Sequence, residues 1–171
     1  MDGADAREAG EFCVRVRAQL VGTLSLYCGD ADVAEELAQD TLARVWDRWP
    51  QVRAMRSPDA WTYRVGVNLA NSHYRRRAAE HRAMARRDRV VDERAAADLA
   101  DAIVVRKAVA ALPKRQKTAL VLRYYADLPI EEVASLMSCA PGTVKALTHQ
   151  AIANLRGAIG SAEFSEVPHG A

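Results

Sequence analysis

The stretch APGTVKALTHQAIANLR, residues 140–156, limits the possible folds more than any other part of the chain. At about 100° per residue, Val144, Leu147, Thr148, Ala151 and Leu155 share one side, so this segment is a helix with a single face for a core. Just before it, PIEEVASLM brings Ile130, Val133, Ala134 and Met137 to one side of a shorter helix. A tight turn at residues 138–140 and Pro141 at the next helix start complete the spacing of a helix-turn-helix. The small Ala134 lets the two helices cross closely. The outward face of the second helix carries Lys145, Ala146, His149, Gln150, Ala153 and Arg156, of which only Lys145 and Arg156 are dependably cationic. A helix shaped for a DNA groove thus carries little of the charge that usually supplies affinity.

The rest of the chain has the same periodicity. Half of its 171 residues are hydrophobic and only 6% are aromatic, with Ala, Leu, Arg and Glu abundant, which favours helix over strand. Residues 12–26 give one helical pattern. A second, over residues 31–49, aligns Val33, Leu37, Thr41, Val45 and Trp49 and stops at Pro50. Residues 51–57 read as a loop, and Ser57 with Pro58 opens a third helix expected to run to about Arg77. Beyond a linker of Ala and charge come DAIVVRKAVAAL, PKRQKTALVLRYYAD and the helix-turn-helix. The expectation is an all-α chain of two small helical domains: residues 10–77, a linker over 78–101, residues 102–160 and a tail over 161–171.

A net charge of +2 says little, but its distribution says more. Opposite the apolar stripe of the second helix lie Asp32, Glu36, Gln39, Asp40 and Asp47. An acidic ridge is usually a solvated face, yet this one adjoins the basic stretch SPDAWTYRVGVNLANSHYRRRA. There Trp61, Tyr63 and Tyr74 offer rings for stacking on unpaired bases, Asn68 and Asn71 offer amides, and Arg64, Arg75, Arg76 and Arg77 offer charge for phosphates. Trp61, Val65 and Leu69, spaced by four, serve equally well as core. Surfaces of opposite sign imply two partners of opposite charge.

No catalytic set emerges: the four histidines lack metal-ligand spacing, and there is no Gly-rich phosphate loop or GxSxG. Three scattered cysteines suit a reducing cytosol and argue against a zinc site. The acidic, polar residues 1–11 do not form a signal peptide, and no apolar run is long enough for a membrane span, so a cytoplasmic protein without metal or cofactor is expected.

In order, DADVAEELAQDTLARVWDRW, PDAWTYRVGVNLANSHYRRR and ALPKRQKTALVLRYYADLPIEEVASLMSCAPGTVKALTHQAIANLR resemble regions 2 and 4 of an extracytoplasmic-function (ECF) RNA polymerase sigma factor, closest in wording to the SigE-like actinobacterial branch. The resemblance covers about residues 12–157. It implies an alternative sigma factor that binds RNA polymerase core and directs promoter-specific initiation. Glu36, Gln39 and Asp40 would dock on the β′ clamp coiled coil; residues 51–57 with Asn68, Asn71, Arg75 and Arg76 would engage and open the −10 element. Region 4 would bind the β flap and read the −35 element through Thr143, Lys145, Ala146, His149 and Gln150. The linker would thread near the polymerase active centre, and an anti-sigma factor is a further partner the resemblance allows. This chain departs from the family pattern at Ser138 for Gly, Ala140 for Ser, Gln150 and Asn154 for basic residues, and Gly66 inside the −10 helix. Two other readings stand beside it: a free-standing helix-turn-helix regulator, which must dimerise and hold a duplex unaided, and an enzyme acting on nucleic acid, for which no catalytic constellation is present.

Overall fold

The computed structural model describes the backbone of residues 3–84 and 100–165 and the side chains of residues 3–80 and 104–159. Every described element is helical: α1 (Gly3–Cys28), α2 (Ala31–Asp47), α3 (Trp49–Arg53), α4 (Pro58–Met84), α5 (Ala100–Ala111), α6 (Lys114–Leu120), a π-helical turn (Val121–Tyr125), α7 (Ile130–Leu136) and α8 (Pro141–Ser165). The all-α expectation holds. Of the linker, residues 85–99 lie outside the described residues, as does the tail from 166.

Several boundaries differ from the pattern read in the sequence. α1 begins at Gly3 rather than near Phe12 because its first turns are held from outside: Ala9 is fully buried beside Phe12, and Arg53 pairs with Asp5 at 2.8 Å and Glu8 at 3.2 Å. Pro50 does not end helical structure but occupies the first turn of α3, where its missing N–H costs nothing. α3 then buries Trp49 and Val52 in a stretch expected to be partly loop. α4 continues past Arg77 to Met84. α6 opens into the π turn, where Ala126 N–H reaches back five residues to the Val121 carbonyl at 3.0 Å.

The caps follow local chemistry. Asp30 Oδ1 accepts from the N–H groups of Asp32 and Val33 at 3.0 and 3.1 Å and so starts α2, while Ser57 Oγ accepts from Ala60 N–H at 3.3 Å. α8 begins behind Ala140, which has no capping side chain.

Among the described residues, three apolar clusters hold the helices together. One lies within the first half, around Phe12, Val45, Trp49 and Trp61; another joins Val109, Leu112 and Leu120 to Ala151. The largest crosses between halves: Leu20, Leu24 and Tyr27 of α1 pack in the same cluster as Val67 of α4, Leu122 of the π turn and Val133 of α7. Gly66 belongs to this packing, since a Cβ there would lie 3.3–3.4 Å from the methyls of Leu20 and Leu24. The loss of helix propensity, roughly 1 kcal/mol relative to Ala, is offset by close approach of α4 to α1.

Candidate nucleic-acid and polymerase surfaces

Three separate surfaces arise from this framework. On α2, Leu37, Ala38, Thr41 and Val45 turn inward, which leaves Glu36, Gln39 and Asp40 exposed together with Asp32 and Asp47. Glu35, beside them, pairs with Arg17 of α1. Trp46 stands 42% exposed on the same helix, a large aromatic that the periodicity of Trp49 concealed. An exposed indole beside carboxylates is suited to a protein partner carrying a cation and an apolar pocket.

The second surface belongs to α4. Asn68, Arg75 and Arg76 are exposed along one side, with Asn71 half-buried among them and Arg64 exposed one turn before Asn68. Among the described residues no ion pair neutralises Arg56, Arg64, Arg75 or Arg76, although Arg75 donates to Ser72 Oγ at 3.0 Å. The aromatics are a correction to the stacking expectation. Tyr63 and Trp61 are buried in the core, and Tyr74, half-buried, holds its hydroxyl on the Cys28 carbonyl at 2.7 Å. Burial pushes the Tyr63 phenol up to about 12, with the nearby Asp59 carboxylate adding to the rise. In the preceding segment Gln51, Met55 and Arg56 are exposed, Val52 is fully buried and Arg53 is tied to α1.

On α8, Val144, Thr148 and Ala151 are buried, and Thr143, Lys145, Ala146, His149 and Gln150 are all exposed along the outer face. Gln116 of α6 was not singled out by the sequence, yet it ties this face: its Nε2 donates to Gln150 Oε1 at 3.4 Å and its Oε1 accepts from Asn154 Nδ2 at 2.8 Å. The two positions where bases are expected therefore carry amides joined through a third amide. Residues 34 and 38 positions apart meet here, so no local pattern could have signalled it.

Among the described residues no group of three or more His, Cys, Asp or Glu is placed to hold a metal ion, and no helix is long and apolar enough to cross a membrane. The three cysteines are free and partly buried.

Comparison with known proteins gives concordant results. Residues 13–80 match Sigma-70 region 2 and residues 103–155 match Sigma-70, region 4. The chain is 31% identical over 123 residues to the RNA polymerase sigma-E factor of Streptomyces antibioticus, covering 72% of this chain and 68% of the relative. It is 30% identical over the same length to the RNA polymerase sigma-E factor of Streptomyces coelicolor, covering 72% and 70%. Among solved structures, the sigma factor RpoE in complex with the anti-sigma factor NepR from Bartonella quintana superposes with a TM-score of 0.77 at 23% identity, over 90% of this chain and 98% of that one. CnrH in complex with the cytosolic domain of CnrY gives 0.65 at 19% identity, over 91% and 89%.

Proposed function

We propose, from the premise that the chain belongs to the sigma-70 family and is an alternative sigma factor of the ECF type directing transcription initiation, that its three exposed surfaces divide the work. The acidic ridge at Glu36, Gln39 and Asp40 docks on the β′ clamp coiled coil of the polymerase core. The α4 face with Asn68, Asn71, Arg75 and Arg76, together with residues 51–57, engages the −10 element and holds its separated strand. The α8 face with Thr143, Lys145, Ala146, His149 and Gln150 reads the −35 element while this half rests on the β flap. In this reading the domains span residues 10–77 and 102–160, the linker and tail lie outside them, and the protein is a cytoplasmic, non-enzymatic specificity subunit. An anti-sigma factor is a further partner, since RpoE and CnrH are each seen with a protein ligand, NepR and the cytosolic domain of CnrY.

The observation that carries this division is charge. An exposed carboxylate ridge on α2 and an arginine-rich face on α4 occupy neighbouring elements of one half, and a single partner cannot satisfy both. A free-standing regulator would leave the acidic ridge without a purpose. The sparse charge of α8 also fits, because a helix tethered to polymerase and to a second DNA contact binds intramolecularly at high effective concentration and need not hold a duplex alone.

The test is Asp40→Arg. Asp40 is exposed and has no place in the core, so helical content and melting stay nearly unchanged while capture of core polymerase in a pull-down falls at least tenfold, the order of an interface hot spot. Run-off transcription from genomic fragments falls in parallel. Unaltered capture removes the docking assignment.

A further inference from the structure

We propose that Gln116, a residue of α6 rather than of the recognition helix, decides which purine α8 reads by fixing the polarity of the Gln150 carboxamide. The inference rests on the assignment of Gln150 to the −35 surface. The three amides at this face form a chain with one direction: Asn154 Nδ2 donates to Gln116 Oε1 at 2.8 Å, and Gln116 Nε2 donates to Gln150 Oε1 at 3.4 Å. Gln116 is half-buried, while Gln150 and Asn154 are exposed one turn apart on α8. The short bond from Asn154 holds the Gln116 amide with its NH2 group towards Gln150. The second bond is long, so it orients Gln150 by polarity more than by strength. Turned over, Gln150 would set its own NH2 against that of Gln116, two donors with no acceptor between them.

The consequence lies in what Gln150 has left to offer a base. A glutamine free to turn reads adenine, because its oxygen accepts from N6 and its nitrogen donates to N7. With its oxygen drawn back to Gln116, Gln150 presents N–H donors to the groove. Guanine shows N7 and O6 side by side, both acceptors, and suits such a group; the N6 amine of adenine opposes it. The relay thus gives Gln150 the donor character of a lysine or arginine without the charge. Gln116 touches no base in this arrangement. It is a positioning residue that acts through Gln150, and Asn154 sets its direction in turn.

The experiment lets holoenzyme, made from core polymerase and the full chain, select duplexes from a promoter library randomised across both elements; sequencing of the retained DNA gives the preference at each position. Gln150→Ala marks the position under Gln150 as the one whose preference is lost. In the unaltered chain that position favours guanine over adenine by roughly tenfold, the scale of one good base contact. Two variants reverse the relay from different links. In Asn154→Asp the new carboxylate draws in the Gln116 NH2, which leaves the Gln116 oxygen to accept from Gln150; in Gln116→Glu the carboxylate accepts from Gln150 directly. Both turn the Gln150 oxygen outward and switch the preference at that position to adenine. Gln116→Met keeps the packing without the polarity and levels the two purines. Ala153→Asp, at an exposed neighbouring position, adds the same charge outside the relay and weakens retention of all sequences with the preference unchanged. A merely structural role for Gln116 would likewise lower retention of all sequences alike. A preference for adenine in the unaltered chain overturns the proposal, and so does a guanine preference that survives both carboxylate variants, with the −35 role of Gln150 left standing. If Gln150→Ala changes no position, that role falls and the proposal falls with it.

Discussion

The N–H of Cys139 reaches the carbonyl of Ala134 at 3.0 Å, a bond that ends α7 and exists only because Ser138 between them adopts a φ of +50°. This is the left-handed region, costly for a residue with a Cβ and open to glycine. Ser138 is exposed and lies outside the core, so Ser138→Gly should raise stability by about 0.5–1 kcal/mol, or roughly 2 °C in Tm. Urea unfolding measures it. A loss of stability would mean that the serine hydroxyl supports the turn in a way the backbone does not reveal.

The exposed indole of Trp46 leads to a prediction about docking. Because Trp46 is 42% exposed and lies along α2 with the carboxylates, Trp46→Ala should leave the fold intact and weaken core capture by roughly tenfold or more, as loss of an aromatic interface anchor does. Asp40→Arg and Trp46→Ala should be less than additive if both contact one patch. Full core capture by Trp46→Ala would confine docking to the acidic side chains.

Alkali should destabilise the fold. Burial pushes the Cys28 thiol up to about 11 from an ordinary 9.0, and the Tyr63 phenol up to about 12 from 10.0. Both groups release their protons earlier when unfolded, so the stability present below pH 9 is lost as pH rises through about 11 and then 12. Lys117, its ammonium held low by burial, acts in the opposite sense, since its charge is easier to lose when folded. Its rise in stability as pH climbs towards 10.5 blunts the early part of the fall. Tyr63→Phe should flatten the decline between pH 10 and 12 in a series of denaturant titrations. An unchanged slope there would rule out Tyr63 as its source.

How much of this was legible in the sequence depended on range. The inward faces of α2 and α8 and the exposed Glu36, Gln39 and Asp40 follow from a 3.6-residue period, which needs only neighbours along one helix. α3 was hidden by Pro50, which ends one helix and begins the next with equal ease. The burial of Tyr63 and the bond from Tyr74 to the Cys28 carbonyl were not legible, because an aromatic beside arginines looks alike whether it meets a base or a core. Tyr27 with Asn71, Tyr27 with Thr118 and Gln116 with Asn154 join residues 44, 91 and 38 positions apart. Such bonds leave no periodic trace.

The amides of α8 give the last prediction, which concerns salt. Gln150 is exposed on the proposed −35 face and accepts from Gln116 at 3.4 Å, a long bond whose loss costs little. Gln150→Arg should therefore fold normally and add one phosphate contact. Binding of the full chain to a mixed-sequence duplex should tighten, and the slope of log-affinity against log salt should steepen by up to about one unit, since each neutralised phosphate releases close to one counterion. Fluorescence anisotropy across a salt series measures both. The test uses the whole chain because its second half shares a core with the first. If the unaltered chain already binds duplex tightly with a steep slope, α8 does not need the tether to polymerase to hold its site. If Gln150→Arg tightens binding without steepening the slope, the arginine reaches a base edge rather than a phosphate, and the outer face of α8 sits deeper in the groove than its sparse charge implies.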